Sequence, residues 1–368
     1  MRFVLDAVLG LEDGAVLQGR SVGAKGIITG ELIFNTSITG YQEIITDPSY
    51  LGQLIVFTFP HIGNSGINNT DVESQRAYAS GIIVRSFSAF QSGVRIMSSL
   101  YKKLRKTGMV ALSGVNTRLL TQLLRTRGVI KGCAITSRNA NQIAVDVARV
   151  SIDISTRDLA KETFNGNSVV WHSKRNCLEH KHKVIVLNFG LKFSILRCLM
   201  DRSCIVYVVS AYVNCKDILN LAVDGIVLSN GPGSPSINPD IISNVKKLIH
   251  SRIPMLGICF GHQVTSLSLG AKTKRLRFGH HGTNHPVKDL NSGAVVTTAQ
   301  NHSFTIEPAS LNDAFRISHI SLFDESVQGL ETYTYLTLSF QGHPEACAGP
   351  KDIEYLFDAF ITVVNSVE

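Results

Sequence analysis

The chain lacks any apolar run that approaches the roughly 20 residues needed to cross a membrane. Residues 1–13 also lack the features of a signal peptide, because acidic residues interrupt their apolar part and no small-residue cleavage site follows. We therefore expect this stretch to begin a folded domain as a strand, and we expect no membrane partner.

Cysteine is scarce and irregularly spaced. The seven cysteines, an odd number without a repeating interval, argue against a disulfide framework and favour a reducing compartment, so we expect a cytoplasmic protein. Only Cys259 stands in a sequence context that suggests reactivity. The other six are expected to act as small apolar residues: Cys133, Cys177, Cys198, Cys204, Cys215 and Cys347.

Nucleotide and nucleic-acid signatures are missing as well. The Gly-Pro-Gly turn at 231–233 lacks the Gly-Lys-Ser/Thr ending of a phosphate loop, and no other nucleotide fingerprint is present. The net charge of +8 would suit a nucleic-acid partner, but the densest basic groups, 101–106 and 272–277, are not interleaved with stacking aromatics. We expect no nucleic acid partner. A solvated face or a docking surface for an acidic protein is favoured instead.

The 368 residues, 44% of them hydrophobic, suffice for about two globular domains. Residues 1–150 predict a mixed, strand-rich domain, because apolar stretches of strand length at 26–36 and 53–59 are bounded by turn-forming residues. A helix is expected over 119–127, with Gly128 as its stop signal. Residues 151–183 lose hydrophobic periodicity and predict a linker with some local order.

Residues 184–368 predict an α/β domain, in which short apolar strands alternate with segments of helix length. This order favours right-handed βαβ units and a doubly wound, mostly parallel sheet covered on both faces. The expected elements are strand 184–187, helix 191–200, strand 204–209, helix 216–221, strand 225–228, helix 241–250 and strand 254–258. Because sites in such sheets lie at the carboxyl ends of the strands, residues 229–235 and Cys259 should share one edge.

A nucleophile elbow is predicted where the last of these strands ends. Gly257, Cys259 and Gly261 form a G-x-C-x-G pattern, the cysteine version of a strained strand-to-helix turn that exposes a nucleophile. The glycines leave room for the turn, and the N-terminus of the following helix favours thiolate over thiol. A cysteine after an apolar strand is by itself usually a packing residue, so the assignment depends on this surrounding pattern.

Partners for the thiol are expected far downstream, at His343 and Glu345. In an extended chain, residues two positions apart point the same way, so one side chain could act as a base towards Cys259 while the other orients it. Taken without the cysteine, the same pair could also be a solvated turn.

Three further histidines, His280, His281 and His285, raise the question of a metal site. No cysteine or carboxylate stands beside them and helical spacing is absent, so hydrogen-bonded structural histidines are favoured over zinc ligands. We expect no metal.

These motifs resemble those of a known family. Residues 257–263 (GICFGHQ) and 342–346 (GHPEA) are similar to the class I, or triad, glutamine amidotransferases. Residues 35–50, 59–64, 278–287 and 298–302 resemble the small, glutamine-hydrolysing subunit of carbamoyl phosphate synthetase, and this match runs nearly end to end. The N-terminal segments are specific to that subunit, whereas the Cys and His-x-Glu motifs alone indicate only the superfamily.

The resemblance implies hydrolysis of glutamine to glutamate and ammonia. It implies that the ammonia passes through an internal tunnel to a large ATP-using subunit, which makes carbamoyl phosphate for arginine and pyrimidine synthesis. Cys259 is then the nucleophile, His343 the general base and acid, and Glu345 the orienting carboxylate, while residues 1–150 dock the partner. No cofactor is expected on this chain; ATP and Mg²⁺ are expected on the large subunit, in a heterodimer or a higher oligomer.

The resemblance also implies a set of contacts to L-glutamine. They fall on Ser49, Gly231, Gly233, Phe260, Gln263, Asn301, Ser303 and Phe304. Backbone N–H groups of Gly231 and Phe260 could form an oxyanion hole, a feature worth about 3–4 kcal/mol per donor in related chemistry. Gln263, one helical turn after the nucleophile, can face the same pocket.

Four positions depart from the usual family pattern: Asn116 and Asn188 each replace an aspartate, Ser234 replaces an aspartate in the Gly-Pro-Gly loop, and Ser303 replaces a glycine. None removes a catalytic group, so they bear on efficiency or subunit coupling. Two other functional classes remain open at this point: a free-standing triad hydrolase and a non-catalytic scaffold for a large subunit. The N-terminal domain argues against the first, and the intact triad argues against the second.

Overall fold

The computed structural model describes residues 6–164, 168–171 and 181–367. The chain divides into two compact units. The first comprises the residues up to Arg157 together with Arg277–Gly282, and the second comprises Asp158–Leu276 and the residues from Thr283 onward. Across the described ranges, no helix combines the length and the apolar character that a membrane span requires.

The first unit is built on a closed barrel of seven strands in the order β1-β2-β8-β6-β4-β3-β9, with β5 and β7 as a separate pair. Its described strands are β1 (Asp6–Leu11), β2 (Val16–Ser21), β3 (Ile27–Asn35), β4 (Gln53–Phe57), β5 (His61–Ile62), β6 (Gly81–Val84), β7 (Ser86–Phe87), β8 (Val110–Ser113) and β9 (Ile130–Ile135). Its described α-helices are α1 (Tyr41–Thr46), α2 (Leu100–Lys106), α3 (Thr117–Arg127) and α4 (Asn141–Val150).

Strand β4 of the barrel buries both of its faces. In β4, Ile55 and Phe57 join an apolar cluster with residues of α1 and α2, whereas Leu54 and Val56 join a second cluster with residues of α3. The predicted strands at 26–36 and 53–59 are confirmed as β3 and β4. Helix α3 begins at Thr117, two residues before the predicted start at 119. The side chain of Asn116 caps it there by accepting the backbone N–H of Leu119 at 3.1 Å.

The segment 151–183, predicted as a linker with some local order, contains short elements in its described part. These are a 3₁₀ turn at Ile154–Thr156, helix α5 (Leu159–Thr163) and strand β10 (Val169–Trp171). The histidine- and lysine-rich stretch at 172–180, with Cys177, lies outside the described residues, as do 165–167.

The second unit contains a ten-stranded sheet in the order β10-β12-β11-β13-β14-β19-β18-β17-β15-β16. Its further strands are β11 (His182–Asn188), β12 (Cys204–Ser210), β13 (Gly225–Leu228), β14 (Met255–Ile258), β15 (Thr273–Asp289), β16 (Val295–Ile306), β17 (Arg316–Ser321), β18 (Val327–Thr332) and β19 (Thr337–Phe340). Its further helices are α6 (Phe193–Met200), α7 (Cys215–Leu219), α8 (Pro239–His250), α9 (Phe260–Ser268) and α10 (Tyr355–Asn365).

The parallel part of this sheet is covered on both faces, as predicted. Strands β12, β11, β13, β14 and β19 run parallel to one another. Ile185 and Leu187 pack with residues of α7, α8 and α9, whereas Val184 and Val186 pack with residues of α6 and α10. The predicted doubly wound α/β fold is confirmed. The strands β18, β17 and β15 add an antiparallel extension that the sequence patterns did not predict.

Candidate active site

Four neighbouring parallel strands, β11, β13, β14 and β19, end at one edge of the sheet. The chain that follows each strand supplies a group to this edge: Lys192 after β11, Gly231 after β13, Cys259 after β14 and His343 after β19. The predicted placement of residues 229–235 and Cys259 at one edge is therefore confirmed. Strand order reverses between β11 and β13, and ligands of open α/β sheets bind at such reversals.

Cys259 occupies the predicted elbow between β14 and α9. Its backbone has φ 53° and ψ −101°, a positive-φ conformation that a side-chain-bearing residue rarely adopts. A Cβ on Gly261 would lie 2.2 Å from the carbonyl oxygen of Leu228, and a Cβ on Gly257 would lie 2.9 Å from that of Gly261. The close backbone approach explains why both flanking positions are glycine.

The thiol of Cys259 is buried and has polar neighbours from strand β16 and from the residue that follows β19. Its Sγ lies 3.6 Å from the carbonyl oxygen of Asn301, to which it can donate. The side-chain Nε2 of Gln341 donates to the sulfur at 3.9 Å. The backbone N–H of Cys259 donates to the carbonyl of Phe340 at 2.8 Å, which ties the elbow to the end of β19.

The prediction that the other cysteines act as small apolar residues is confirmed for four of them, which lie in apolar clusters: Cys133, Cys198, Cys204 and Cys215. Burial raises the pKa of the Cys133 thiol to about 11 and that of the Cys198 and Cys204 thiols to about 12. These thiols are therefore neutral at physiological pH. Cys215 is also buried, whereas Cys347 is only partly buried.

The segment that carries His343 and Glu345 is not extended, so that part of the prediction was wrong. Strand β19 ends at Phe340, His343 forms a single isolated bridge with Ala299, and Glu345 lies in a turn. Pro344 has no backbone N–H with which to continue a ladder. The turn nevertheless brings Nδ1 of His343 to 2.7 Å from Oε1 of Glu345, so the predicted pairing of the two side chains is confirmed.

The groups around His343 and Glu345 determine the charge of each of these side chains. Burial by itself lowers the pKa of His343, but the Glu345 carboxylate and the Cys259 thiol group outweigh it and raise that pKa to about 10. Burial by itself raises the pKa of Glu345, but Lys192 and His343 outweigh it and lower that pKa to about 2. At neutral pH, an imidazolium therefore faces a carboxylate in a site closed to solvent.

Lys192 was not among the predicted site residues. Its Nζ lies 2.9 Å from Oε1 of Glu345, and the side chains are 2% and 0% exposed, respectively. It also donates to the carbonyl oxygen of Ala346 at 3.0 Å. One sequence signal could have found it: Lys192 stands just past the end of a buried parallel strand, within the mostly apolar stretch 191–196.

The structure brings several predicted glutamine contacts close to the nucleophile. Nε2 of Gln263 donates to the carbonyl oxygen of Phe304 at 2.8 Å and to Oε1 of Gln341 at 3.0 Å. Strand β16 carries Asn301, Ser303 and Phe304 together. Gln341 thus joins Gln263 to the thiol, a connection that the sequence did not predict.

The predicted oxyanion hole has suitable placement. Phe260 is the first residue of α9, so its N–H has no acceptor within the helix. Gly231 packs so tightly that a Cβ there would lie 2.7 Å from the carbonyl oxygen of Phe189, and Gly233 has φ 84°. A donor role for either N–H stays a prediction.

Ser49 belongs to the first unit, in a 3₁₀ turn that spans Pro48–Tyr50. The side chain of Asp47 accepts its N–H at 2.8 Å and fixes that turn. Its contact with glutamine stays a prediction.

The structure accommodates the four departures from the family pattern. Asn188 accepts the backbone N–H groups of Gly190 and Leu191 at 2.9 Å each, as an aspartate would, and Asn116 caps α3. The hydroxyl of Ser234 hydrogen-bonds that of Ser236 at 2.9 Å. Ser303 lies in β16 without a positive φ, so its Cβ causes no backbone strain.

The histidines at 280, 281 and 285 are all buried. The carbonyl of His281 accepts the N–H of Thr36 at 3.1 Å, and the ring of His285 packs edge-on against Phe323. Throughout the part of the chain that the structure describes, no group of three His, Cys, Asp or Glu residues is arranged to hold a metal ion.

Comparison with known proteins gives two family matches. Residues 9–134 match the model of the carbamoyl-phosphate synthase small chain, CPSase domain, and residues 185–363 match that of glutamine amidotransferase class-I. Among curated proteins, the carbamoyl phosphate synthase small chain of Buchnera aphidicola subsp. Acyrthosiphon pisum is 46% identical, over 98% of this chain and 96% of that relative. The small chain of Pasteurella multocida is 45% identical, over 96% and 94%, respectively.

Proposed function

The chain belongs to the carbamoyl phosphate synthase small-chain family, and on that basis we propose that it hydrolyses L-glutamine through Cys259, His343 and Glu345. The observation that carries the proposal is the convergence of these groups at one sheet edge. A strained elbow holds the cysteine, and a buried carboxylate holds the imidazole in its charged form.

The first chemical step follows from the charges. The Cys259 thiolate attacks the carboxamide carbon of glutamine, and the carbonyl oxygen becomes an oxyanion close to the N–H groups of Gly231 and Phe260. The His343 imidazolium then donates its proton to the departing amine, so the C–N bond breaks, ammonia leaves and a thioester remains on Cys259. The raised pKa of His343 suits this role as general acid.

Hydrolysis of the thioester restores the site. His343, now neutral, accepts a proton from water as the water oxygen attacks the thioester carbon. The C–S bond breaks, glutamate leaves, and the thiolate and imidazolium are regenerated. Glu345 stays ionised throughout, because Lys192 and His343 keep its pKa low, and it holds Nδ1 of the imidazole in place.

In this proposal, the ammonia is consumed on a second protein chain. The curated relatives are named as small chains, so we place the protein in a complex with a large chain that carries the ATP- and Mg²⁺-dependent synthesis of carbamoyl phosphate for arginine and pyrimidine formation, in the cytoplasm. The barrel unit is more than a hydrolase needs, and docking to the large chain is its proposed role.

The test uses the complex with the large chain of the same source. Glutamine-dependent carbamoyl phosphate formation should be lost in Cys259→Ala, whereas formation from added ammonia should survive, because only the glutamine site is damaged. Glutaminase activity should rise when the large chain, ATP and bicarbonate are added to the small chain. Full activity of the small chain alone, with no complex in sedimentation, would support a free-standing hydrolase instead.

A further inference from the structure

We infer that Gln341 is a further catalytic residue of the glutaminase site, whose side-chain amide donates to the sulfur of Cys259 and stabilises negative charge there. The inference rests on the proposed function, because it assigns a role within the same site. It goes beyond that function in adding an uncharged hydrogen-bond donor, which touches the reacting sulfur, to the three groups that the sequence motifs indicated.

The orientation of the Gln341 amide follows from its contact with Gln263. Nε2 of Gln263 lies 2.8 Å from the carbonyl oxygen of Phe304, and a backbone carbonyl can only accept a hydrogen bond. The same Nε2 lies 3.0 Å from the Gln341 side chain, so the atom that Gln341 turns towards it must be the acceptor Oε1. The other end of the Gln341 amide, 3.9 Å from the sulfur, is therefore the donor Nε2.

The backbone that carries Gln341 is held on two sides. Its own N–H donates to the carbonyl oxygen of Gln328 in β18 at 2.7 Å. The preceding carbonyl, of Phe340, accepts the N–H of Cys259 at 2.8 Å, which ties this backbone to the elbow. The side chain is also fully buried, so its amide is fixed relative to the sulfur before any substrate binds. A hydrogen-bond donor contributes most to catalysis when it is fixed in advance in this way.

The sulfur carries negative charge twice in the proposed reaction. It is a thiolate before it attacks glutamine, and it becomes one again when water attacks the thioester carbon, because the C–S bond breaks and its electron pair passes to the sulfur. Hydrogen bonds to an ionised acceptor are about twice as strong as those to a neutral one. The N–H of Gln341 therefore favours the thiolate over both the thiol and the thioester. Since an amide carries no charge, it does not compete with His343 for the proton.

The charged and titratable groups around this sulfur come from several elements of the described chain. His343, in the turn after β19, hydrogen-bonds the thiol and pairs with Glu345. Lys192, after β11, pairs with the same carboxylate. Burial lowers the pKa of His262 in α9 to about 3, so that ring is neutral, and β16 supplies the uncharged carbonyl of Asn301. The imidazolium, the pair of charges behind it and the amide donor thus act on the sulfur together.

Gln341→Met is the primary test, made in the full chain bound to its large chain. The rate at which iodoacetamide alkylates Cys259 is measured against pH, with the modified peptide quantified by mass spectrometry. Loss of the donor should raise the pH midpoint of this reaction by about one unit, a roughly tenfold loss in the thiolate equilibrium. The kcat for glutamine hydrolysis should fall roughly tenfold, because the thiolate becomes a poorer leaving group. Ammonia-dependent synthesis should not change.

Gln328→Met is the matched control. Gln328 is also a fully buried glutamine, but its Nε2 donates to the hydroxyl of Ser326 at 3.1 Å rather than to the sulfur. The control should keep the wild-type pH midpoint for alkylation of Cys259, even where the loss of a buried amide lowers stability. A purely structural role for Gln341 predicts the same unchanged midpoint in Gln341→Met, so the two roles are distinguished.

Gln341→Glu keeps the test decisive if Gln341→Met folds poorly. The glutamate has nearly the same shape, and its carboxylate can still accept from Gln263. It replaces the donor beside the sulfur with a negative charge, so the pH midpoint should rise at least as far as in Gln341→Met. A midpoint at or below the wild-type value in either folded variant would overturn the inference. Failure of the wild-type chain to hydrolyse glutamine would instead overturn the proposed function, and the alkylation measurement would stand because it needs no glutamine turnover.

Discussion

The interior of the second unit's sheet and its carboxyl edge place a buried cysteine in different surroundings. Cys204 lies at the start of β12 among apolar residues, where burial raises its pKa to about 12. Cys259, equally buried, stands at the end of β14 in a positive-φ turn, beside an imidazolium and the amide of Gln341. Two equally buried cysteines therefore have different neighbours, and in the proposed mechanism only the one at the strand end acts as a nucleophile.

The largest predicted effect is a difference in glutaminase rate between variants of these two cysteines. Cys259→Ser should reduce glutamine hydrolysis by roughly 10⁴-fold or more, because the hydroxyl is a far weaker nucleophile and the triad acts as a unit. Steady-state glutaminase assays of the purified complex measure it. Cys204→Ala, the matched control, should keep the wild-type rate; equal losses in the two variants would remove the distinction between edge and interior.

A smaller loss is expected from the orienting carboxylate. Glu345→Gln should lower kcat by about 10²- to 10⁴-fold while leaving the fold intact, because the neutral amide cannot balance the positive charge of the His343 imidazolium. Glutamine affinity, measured by calorimetry on the Cys259→Ala background, should change little. An unchanged rate would show that the carboxylate does not act on the reaction.

The edge should also make the stability of the protein depend on pH, through His343 and Glu345. The folded pKa of His343 is raised from 6.5 to about 10, so its contribution is complete below 6.5 and is lost as pH rises towards 10. The folded pKa of Glu345 is lowered from 4.5 to about 2, so its contribution is complete above 4.5 and is lost as pH falls towards 2.

Urea unfolding of the wild-type chain and of Glu345→Gln, over a range of pH, measures this contribution. The difference in free energy of unfolding should be greatest between pH 4.5 and 6.5 and should shrink on either side. A difference that is constant with pH would contradict the charge states assigned to the pair.

The smallest effect concerns the interior. Cys204→Ala should cost about 1 kcal/mol of stability, because a fully buried side chain loses one sulfur atom's packing without leaving a charge unpaired. Thermal unfolding at fixed pH measures it. If other buried cysteines of this variant react with a thiol reagent in solution, the interior is less well packed than the structure indicates.

The comparison also shows what the sequence could predict. Local patterns were enough for the parallel strands, the helices between them and the elbow, because each depends on neighbours within a few residues, such as Gly257 and Gly261. The pairing of His343 with Glu345 was predicted, but its turn geometry was not, since Pro344 and the left-handed Ala346 act against the extended form.

The sequence did not predict polar and charged contacts between residues that are far apart in the chain. Lys192 and Glu345 lie far apart in the chain and meet through the loops after β11 and β19, so no periodicity or spacing in the sequence indicates their contact. Gln341, the residue after the end of the neighbouring strand β19, reaches Cys259 in the same way. The antiparallel strands β17 and β18 have mixed polar patterns, and their pairing depends on the register of distant segments.

The most direct test of the glutaminase site is covalent labelling with a chloroketone analogue of glutamine, followed by peptide mapping by mass spectrometry. The wild-type chain should take up one equivalent, on the peptide that contains Cys259, and excess L-glutamine should prevent the reaction. Labelling of Cys347 or another cysteine in preference to Cys259, or labelling that glutamine does not slow, would contradict the assignment of this sheet edge as the site of glutamine hydrolysis.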